Sequence, residues 1–118
     1  IMISLNISLP SAIMTRAIIT ITEGKTAALQ DLGIADVNNG LPATGTGTDG
    51  ITLITNPDAP RYTDAGTFSV LGSLLASAAY ETVRECLELY DKPWNRDDSL
   101  ATPPAVDLSR LRNKECGH

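Results

Sequence analysis

The run Thr44-Gly45-Thr46-Gly47-Thr48-Asp49-Gly50 is the strongest punctuation in the chain. Glycines alternating with hydroxyl residues mark a loop, not the interior of a helix. The residues that follow, Ile51-Thr52-Leu53-Ile54-Thr55, are rich in β-branched side chains and read as a strand. The run is therefore a tight loop that feeds a buried element. Glycine can take positive φ and approach a ligand closely, and successive amides in such a turn can converge on an anion or an oxyanion. The threonine hydroxyls donate and accept, and Asp49 adds an acceptor or a base. Taken alone, the run fits a structural turn as well as a binding loop. It is not a Walker A loop, because no Gly-Lys-Ser/Thr closes it. It is not a dinucleotide fingerprint, because a strand follows where a helix should begin.

With 118 residues the chain can bury one modest core. Its net charge of −5 argues against binding to nucleic acid or to an anionic membrane. No apolar stretch is long enough to span a bilayer, and the first residues lack the marks of a signal peptide. The expected location is cytoplasmic. Ile1 precedes Met2, and the chain opens directly on strand-like residues, so we read it as a fragment or as part of a longer protein. Cys86 and Cys116 form no Cys-x-x-Cys pair, so zinc and redox chemistry have no support. Cys86 is expected to be a buried helical thiol. His118 is the only histidine, which leaves no base for a Ser-His-Asp or Cys-His arrangement and no His-based metal site.

Along the chain, Ile3, Leu5 and Ile7 alternate with Ser4, Asn6 and Ser8, predicting a half-buried strand over Met2 to Ser8. Pro10-Ser11 breaks it, with Ser11 as a helix N-cap. From Ala12 to Leu32 the positions Met14, Ala17, Ile18, Ile21, Ala28, Leu29 and Leu32 form a helical stripe, and Gly33 supplies the stop. The cluster Ile18-Ile19-Thr20-Ile21-Thr22 pulls toward strand, but length and both end signals favour helix. Lys25 sits near the middle of the stripe, so it must snorkel, find a partner, or lose its proton. Glu23 projects from nearly the opposite face. Asn56-Pro57-Asp58-Ala59-Pro60 is a turn, leading to a short hairpin partner around Arg61-Tyr62-Thr63. Thr67 is expected to cap a second helix whose buried stripe is Phe68, Leu71, Gly72, Leu75, Ala79, Val83 and Cys86. From Asp91 to His118 the chain reads as a Pro-rich extension that Trp94 could pin to the body or to another subunit. The expected fold is mixed α/β: a small sheet with two main helices on one face, one domain over 1–90, then a tail over 91–118.

Three segments in order resemble one family. They are Thr22-Glu23-Gly24-Lys25-Thr26-Ala27-Ala28-Leu29-Gln30-Asp31-Leu32-Gly33, then Pro42-Ala43-Thr44-Gly45-Thr46-Gly47-Thr48-Asp49, then Tyr62 to Leu71 with Ala65-Gly66-Thr67. Together they look like the adenosylcobinamide amidohydrolases, which hydrolyse the amide joining the aminopropanol arm to the corrin ring and yield adenosylcobyric acid. The resemblance spans residues 1–90 and looks like the C-terminal half to two-thirds of the family domain. Two departures stand out. Gly24 replaces the usual Ala, which loosens a helix by about 1 kcal/mol. Phe68-Ser69-Val70-Leu71-Gly72 replaces a pattern that usually runs His-Thr-Lys-Leu-Gly.

The resemblance implies an amide hydrolase of corrinoid salvage, with the corrinoid as substrate and no resident cofactor. Asp49 would activate water or orient a threonine, Lys25 would supply charge or a proton, and Thr46 and Thr48 are the candidate hydroxyls. Thr44, Gly45, Gly47, Glu23, Gly66 and Thr67 are the expected substrate-binding residues. A homo-oligomer, or an absent N-terminal segment, is the expected macromolecular partner. Two other classes fit the same residues. One is a non-catalytic corrinoid-binding or regulatory module, favoured by Phe68. The other is a structural or interaction domain in which the Gly/Thr loop is only a turn.

Overall fold

Two short strands that lie parallel cannot be joined by a hairpin; a crossover must connect them. In the computed structural model, which describes residues 1–91, that crossover is the first helix. The order is β1 (Met2–Leu5), α1 (Ser11–Asp31), β2 (Thr52–Thr55) and α2 (Val70–Asp91). β1 pairs with β2 in parallel, with Met2 opposite Thr52 and Leu5 opposite Thr55. Alternation puts Ile3, Leu5, Leu53 and Thr55 on one half-buried face, and Met2, Ser4, Thr52 and Ile54 on an exposed one. Ile3, Leu5 and Leu53 pack against a core built from both helices: Ala17 and Ile21 of α1, and Leu71, Leu75 and Ala79 of α2. The expected mixed α/β architecture is the one observed.

α1 ends as the sequence predicts. Gly33 has φ +66°, its amide donates to the Gln30 carbonyl, and the Ile34 amide donates to Leu29. This is a Schellman motif, which only a residue tolerant of positive φ closes cheaply. Its start differs from expectation. Pro10 occupies the N-cap position without a side-chain bond, and Ser11 is already helical. The β-branched cluster is helical because Thr20 and Ile21 are fully buried, and that burial outweighs strand propensity. The Thr20 hydroxyl donates to the Ala65 carbonyl at 2.8 Å, tying α1 to the approach to α2.

Four further expectations are corrected. Arg61 bridges Ser8 in parallel and the Tyr62 amide donates to the Ser8 carbonyl, so this segment pairs alongside the continuation of β1 and forms no hairpin. Ser69, not Thr67, caps α2: its Oγ accepts from the Gly72 amide at 3.0 Å. Phe68 precedes the helix and is fully exposed, so it has no place in the buried stripe. Cys86 is also exposed, because the stripe drifts around a helix of this length and its buried part ends at Ala79. The Trp94, Cys116 and His118 readings, and the tail from 92 onward, fall outside the described residues.

Gly24 has a role that helix propensity hides. A Cβ there would meet the backbone carbonyl group of Ala76 on α2, so the two helices approach each other across this position. Gly24→Ala therefore gains about 1 kcal/mol of helix propensity but overpacks the contact, which costs about 1–3 kcal/mol. The expected outcome is a lower urea midpoint with an unchanged slope. A midpoint at or above that of the parent contradicts this packing.

Candidate functional site

Lys25 leaves α1 beside the buried stripe, and its side chain is only 12% exposed. A long ammonium side chain so placed needs a counter-charge. It finds one in Asp49, twenty-four residues on, and the two form an ion pair. Thr46 Oγ1 donates to the other Asp49 oxygen at 3.0 Å, and the Asp49 amide donates to the Thr46 carbonyl at 3.2 Å. The loop is thus folded around one carboxylate. Gly45 lies directly beneath it: a Cβ there would collide with the Asp49 carboxylate and come within 2.6 Å of Lys25 Nζ.

This gives the glycine run a different logic from the expected one. The positive-φ glycines among the described residues are Gly33 and Gly40, not those of the run. Gly45 is required for space, while Gly47 and Gly50 have nothing within 4 Å of a built Cβ. Among the described residues, nothing accepts a hydrogen bond from the amides of Gly45, Gly47 and Thr48, so these donors are open to a ligand.

Hydrogen bonding from the Lys25 ammonium holds the Asp49 carboxyl below the ordinary aspartate value. Partial burial works against this, and the Thr46 amide and hydroxyl reinforce it. At neutral pH Asp49 is therefore a carboxylate that accepts and orients. A depressed value makes it a weak proton acceptor in its own right.

Lys25, Thr48 and Asp49 line a cavity of about 410 Å³ together with Ile18, Thr22 and Ile51. Thr46 joins this group through Asp49, and Gly45 supports it from below. Thr44 contributes its carbonyl, which accepts from Thr26 Oγ1 at 3.1 Å. Glu23 and Thr67 are brought together elsewhere, on another face of α1, where the Thr67 hydroxyl donates to Glu23 Oε2 at 2.8 Å. Gly66 is buried, with its amide on Asp64 and the Arg16 guanidinium close by, away from the Lys25 cavity. Ile18 and Thr22 were not singled out as site residues, although they lie seven and three residues before Lys25, on its side of the helix. Among the described residues no group of three or more His, Cys, Asp or Glu side chains could hold a metal ion. Among them, too, no helix is long and apolar enough to cross a membrane.

A parallel strand pair is crossed by a helix whose Lys25 and Thr26 meet the Thr-Gly-Thr-Gly-Thr-Asp loop. The adenosylcobinamide amidohydrolase family model matches residues 1–94, and the chain belongs to that family. It is 42% identical over 89 residues to an uncharacterized protein of Methanocaldococcus jannaschii. That match takes in 74% of this chain and 34% of the relative, so the chain spans about a third of the relative's length. No solved structure matches the chain.

The ion pair predicts two linked titrations. In Lys25→Met the Asp49 carboxyl is expected to move up toward the ordinary aspartate value, as followed by carboxyl-carbon NMR. Gly45→Ala, which pushes the pair apart, moves it the same way. Because the folded value is depressed, the pair stabilises the fold above the unfolded aspartate value, and this is lost as pH falls through the folded one. Asp49 is 38% exposed, so the effect is small, about 0–1 kcal/mol. An Asp49 titration indifferent to both substitutions contradicts the geometry.

Proposed function

We propose that this chain carries the cleavage site for the aminopropanol amide of adenosylcobinamide, giving adenosylcobyric acid in corrinoid salvage. The observation that carries the reading is the convergence of Lys25, Asp49 and Thr46 over Gly45 at the edge of a cavity. On this reading the corrinoid is a substrate and not a cofactor, and the chemistry is cytoplasmic. A second copy, or a further part of the family domain, completes the enzyme.

Amide hydrolysis needs a directed nucleophile, a stabilised oxyanion and a protonated leaving amine. Free amides at Gly47 and Thr48 are suited to the oxyanion that forms when water adds to the carbonyl carbon. Asp49 is suited to orienting that water or the Thr46 hydroxyl through its accepting oxygens. Lys25 is the nearby cation, suited to delivering a proton to the departing nitrogen as the C–N bond breaks. The products are then a carboxylate on the ring and free aminopropanol.

One observation favours a second reading, a corrinoid-binding module without turnover. Phe68 and Val70 stand where the resemblance places a histidine and a lysine, and both are strongly exposed, so no packing role accounts for them.

Asp49→Asn is expected to lower the release of aminopropanol from adenosylcobinamide by about 10²-fold or more, while the variant keeps its fold. Unchanged release removes Asp49 from the chemistry. Cobinamide binding by the parent chain with no aminopropanol formed selects the binding module.

A further inference from the structure

Four threonines lie on α1, and a threonine inside a helix has a local default: its hydroxyl donates to the carbonyl one turn back. Thr15 takes that default, donating to the Ser11 carbonyl at 3.1 Å, and Thr22 takes it too, donating to the Ile18 carbonyl at 2.8 Å. Thr20 and Thr26 do not. Thr20 is fully buried, where its bond to the Ala65 carbonyl serves the core. Thr26 is only half-buried, so its own helix or water could serve its hydroxyl. It reaches across to the Thr44 carbonyl instead, at 3.1 Å. Burial does not require that bond.

The place of Thr44 in the loop gives the bond its purpose. Lys25 and Thr26 are consecutive on α1, and they grip the Thr44–Gly50 loop at two points, Lys25 at Asp49 and Thr26 at Thr44. Gly45 lies between the two grips and directly beneath the ion pair, where even a methyl group would collide. The peptide joining Thr44 to Gly45 is planar and trans, so a fixed Thr44 carbonyl fixes where Gly45 sits. Upstream, the Ala43 amide donates to Ile34, and downstream the Thr46 carbonyl accepts from Asp49. Between those two points the backbone is held, among the described residues, by the Thr26 hydroxyl alone. Thr26 does not line the Lys25–Asp49 cavity, so it acts on that site through the loop.

We infer that Thr26 is a positioning residue: its hydroxyl holds the near end of the loop at the height that leaves Lys25 room to meet Asp49. Without it the Thr44–Gly45 peptide is free to turn, and Gly45 can rise into the space that the pair occupies. The consequence for turnover rests on the amide-hydrolase reading of that pair, whereas the consequence for the pair itself does not. A residue that sets the geometry of reacting groups without touching the substrate acts on kcat more than on KM.

The test compares the full chain with three variants. Thr26→Val keeps the β-branched shape and removes the donor, Thr26→Ala removes it in a better helix former, and Thr26→Ser keeps it. Asp49 is followed across pH by carboxyl-carbon NMR, and turnover by aminopropanol release from adenosylcobinamide. The expected result is an Asp49 carboxyl that titrates higher in both variants lacking the donor and as in the parent in Thr26→Ser. In the same two variants kcat is expected to fall about tenfold or more with KM within about threefold, and Thr26→Ser to stay within about threefold of the parent. A parent-like Asp49 titration in Thr26→Val and Thr26→Ala overturns the inference, because a merely structural bond lowers the urea midpoint and leaves that titration in place. A shift that Thr26→Ser fails to reverse overturns it too. A shift that Thr26→Ser reverses, with turnover unchanged or absent even in the parent, upholds the positioning and overturns the cleavage reading.

Discussion

Everything that resembles a site in this molecule hangs on the reach of one lysine. Lys25 sits where an apolar side chain would be ordinary, and its charge is tolerable only because the Thr44–Gly50 loop brings a carboxylate to it. The loop in turn has no rigid secondary structure of its own. It is organised by Asp49, which accepts from Lys25 and Thr46, and by Thr26, which ties down the Thr44 carbonyl. Removing the ion pair therefore removes both the loop's anchor and the cluster's chemistry. Gly45 is the silent partner: any side chain at that position displaces the pair it supports.

α1 is the element through which the rest communicates. Its inner face packs on α2 across Gly24 and on the sheet through Ala17 and Ile21. One flank carries Lys25, and the other carries Glu23 bonded to Thr67. The parallel strands fix where α1 begins and where the loop ends, since β2 starts just after Gly50 and must align with β1. A short βαβ unit thus sets the separation between helix and loop with little help from the loop itself.

Much of this was legible in the residues, for identifiable reasons. The first strand follows from alternation, the second from its β-branched residues, and the end of α1 from Gly33, because these signals are local. The Lys25–Asp49 pairing was approachable because a lysine in an apolar stripe demands a partner, though not which oxygen it meets. The misses share a cause. Phe68 and Cys86 were placed by extending a helical stripe in both directions, but Ser69 sets the true start and the buried part ends at Ala79. The Arg61 bridge to Ser8 was missed because parallel pairing leaves no turn signature between its partners. Positive φ is the expectation for the glycine run, but none of its glycines adopts it, and at Gly45 the need is room for the Asp49 and Lys25 side chains.

The central claim is that Lys25 and Asp49 act as a unit on the scissile amide. A double-mutant cycle on kcat/KM for adenosylcobinamide, using Lys25→Met, Asp49→Asn and the pair together, tests it most directly. A unit predicts strong non-additivity, with the double variant about as impaired as the worse single one. Losses that simply multiply contradict the account, as does a parent protein that releases no aminopropanol.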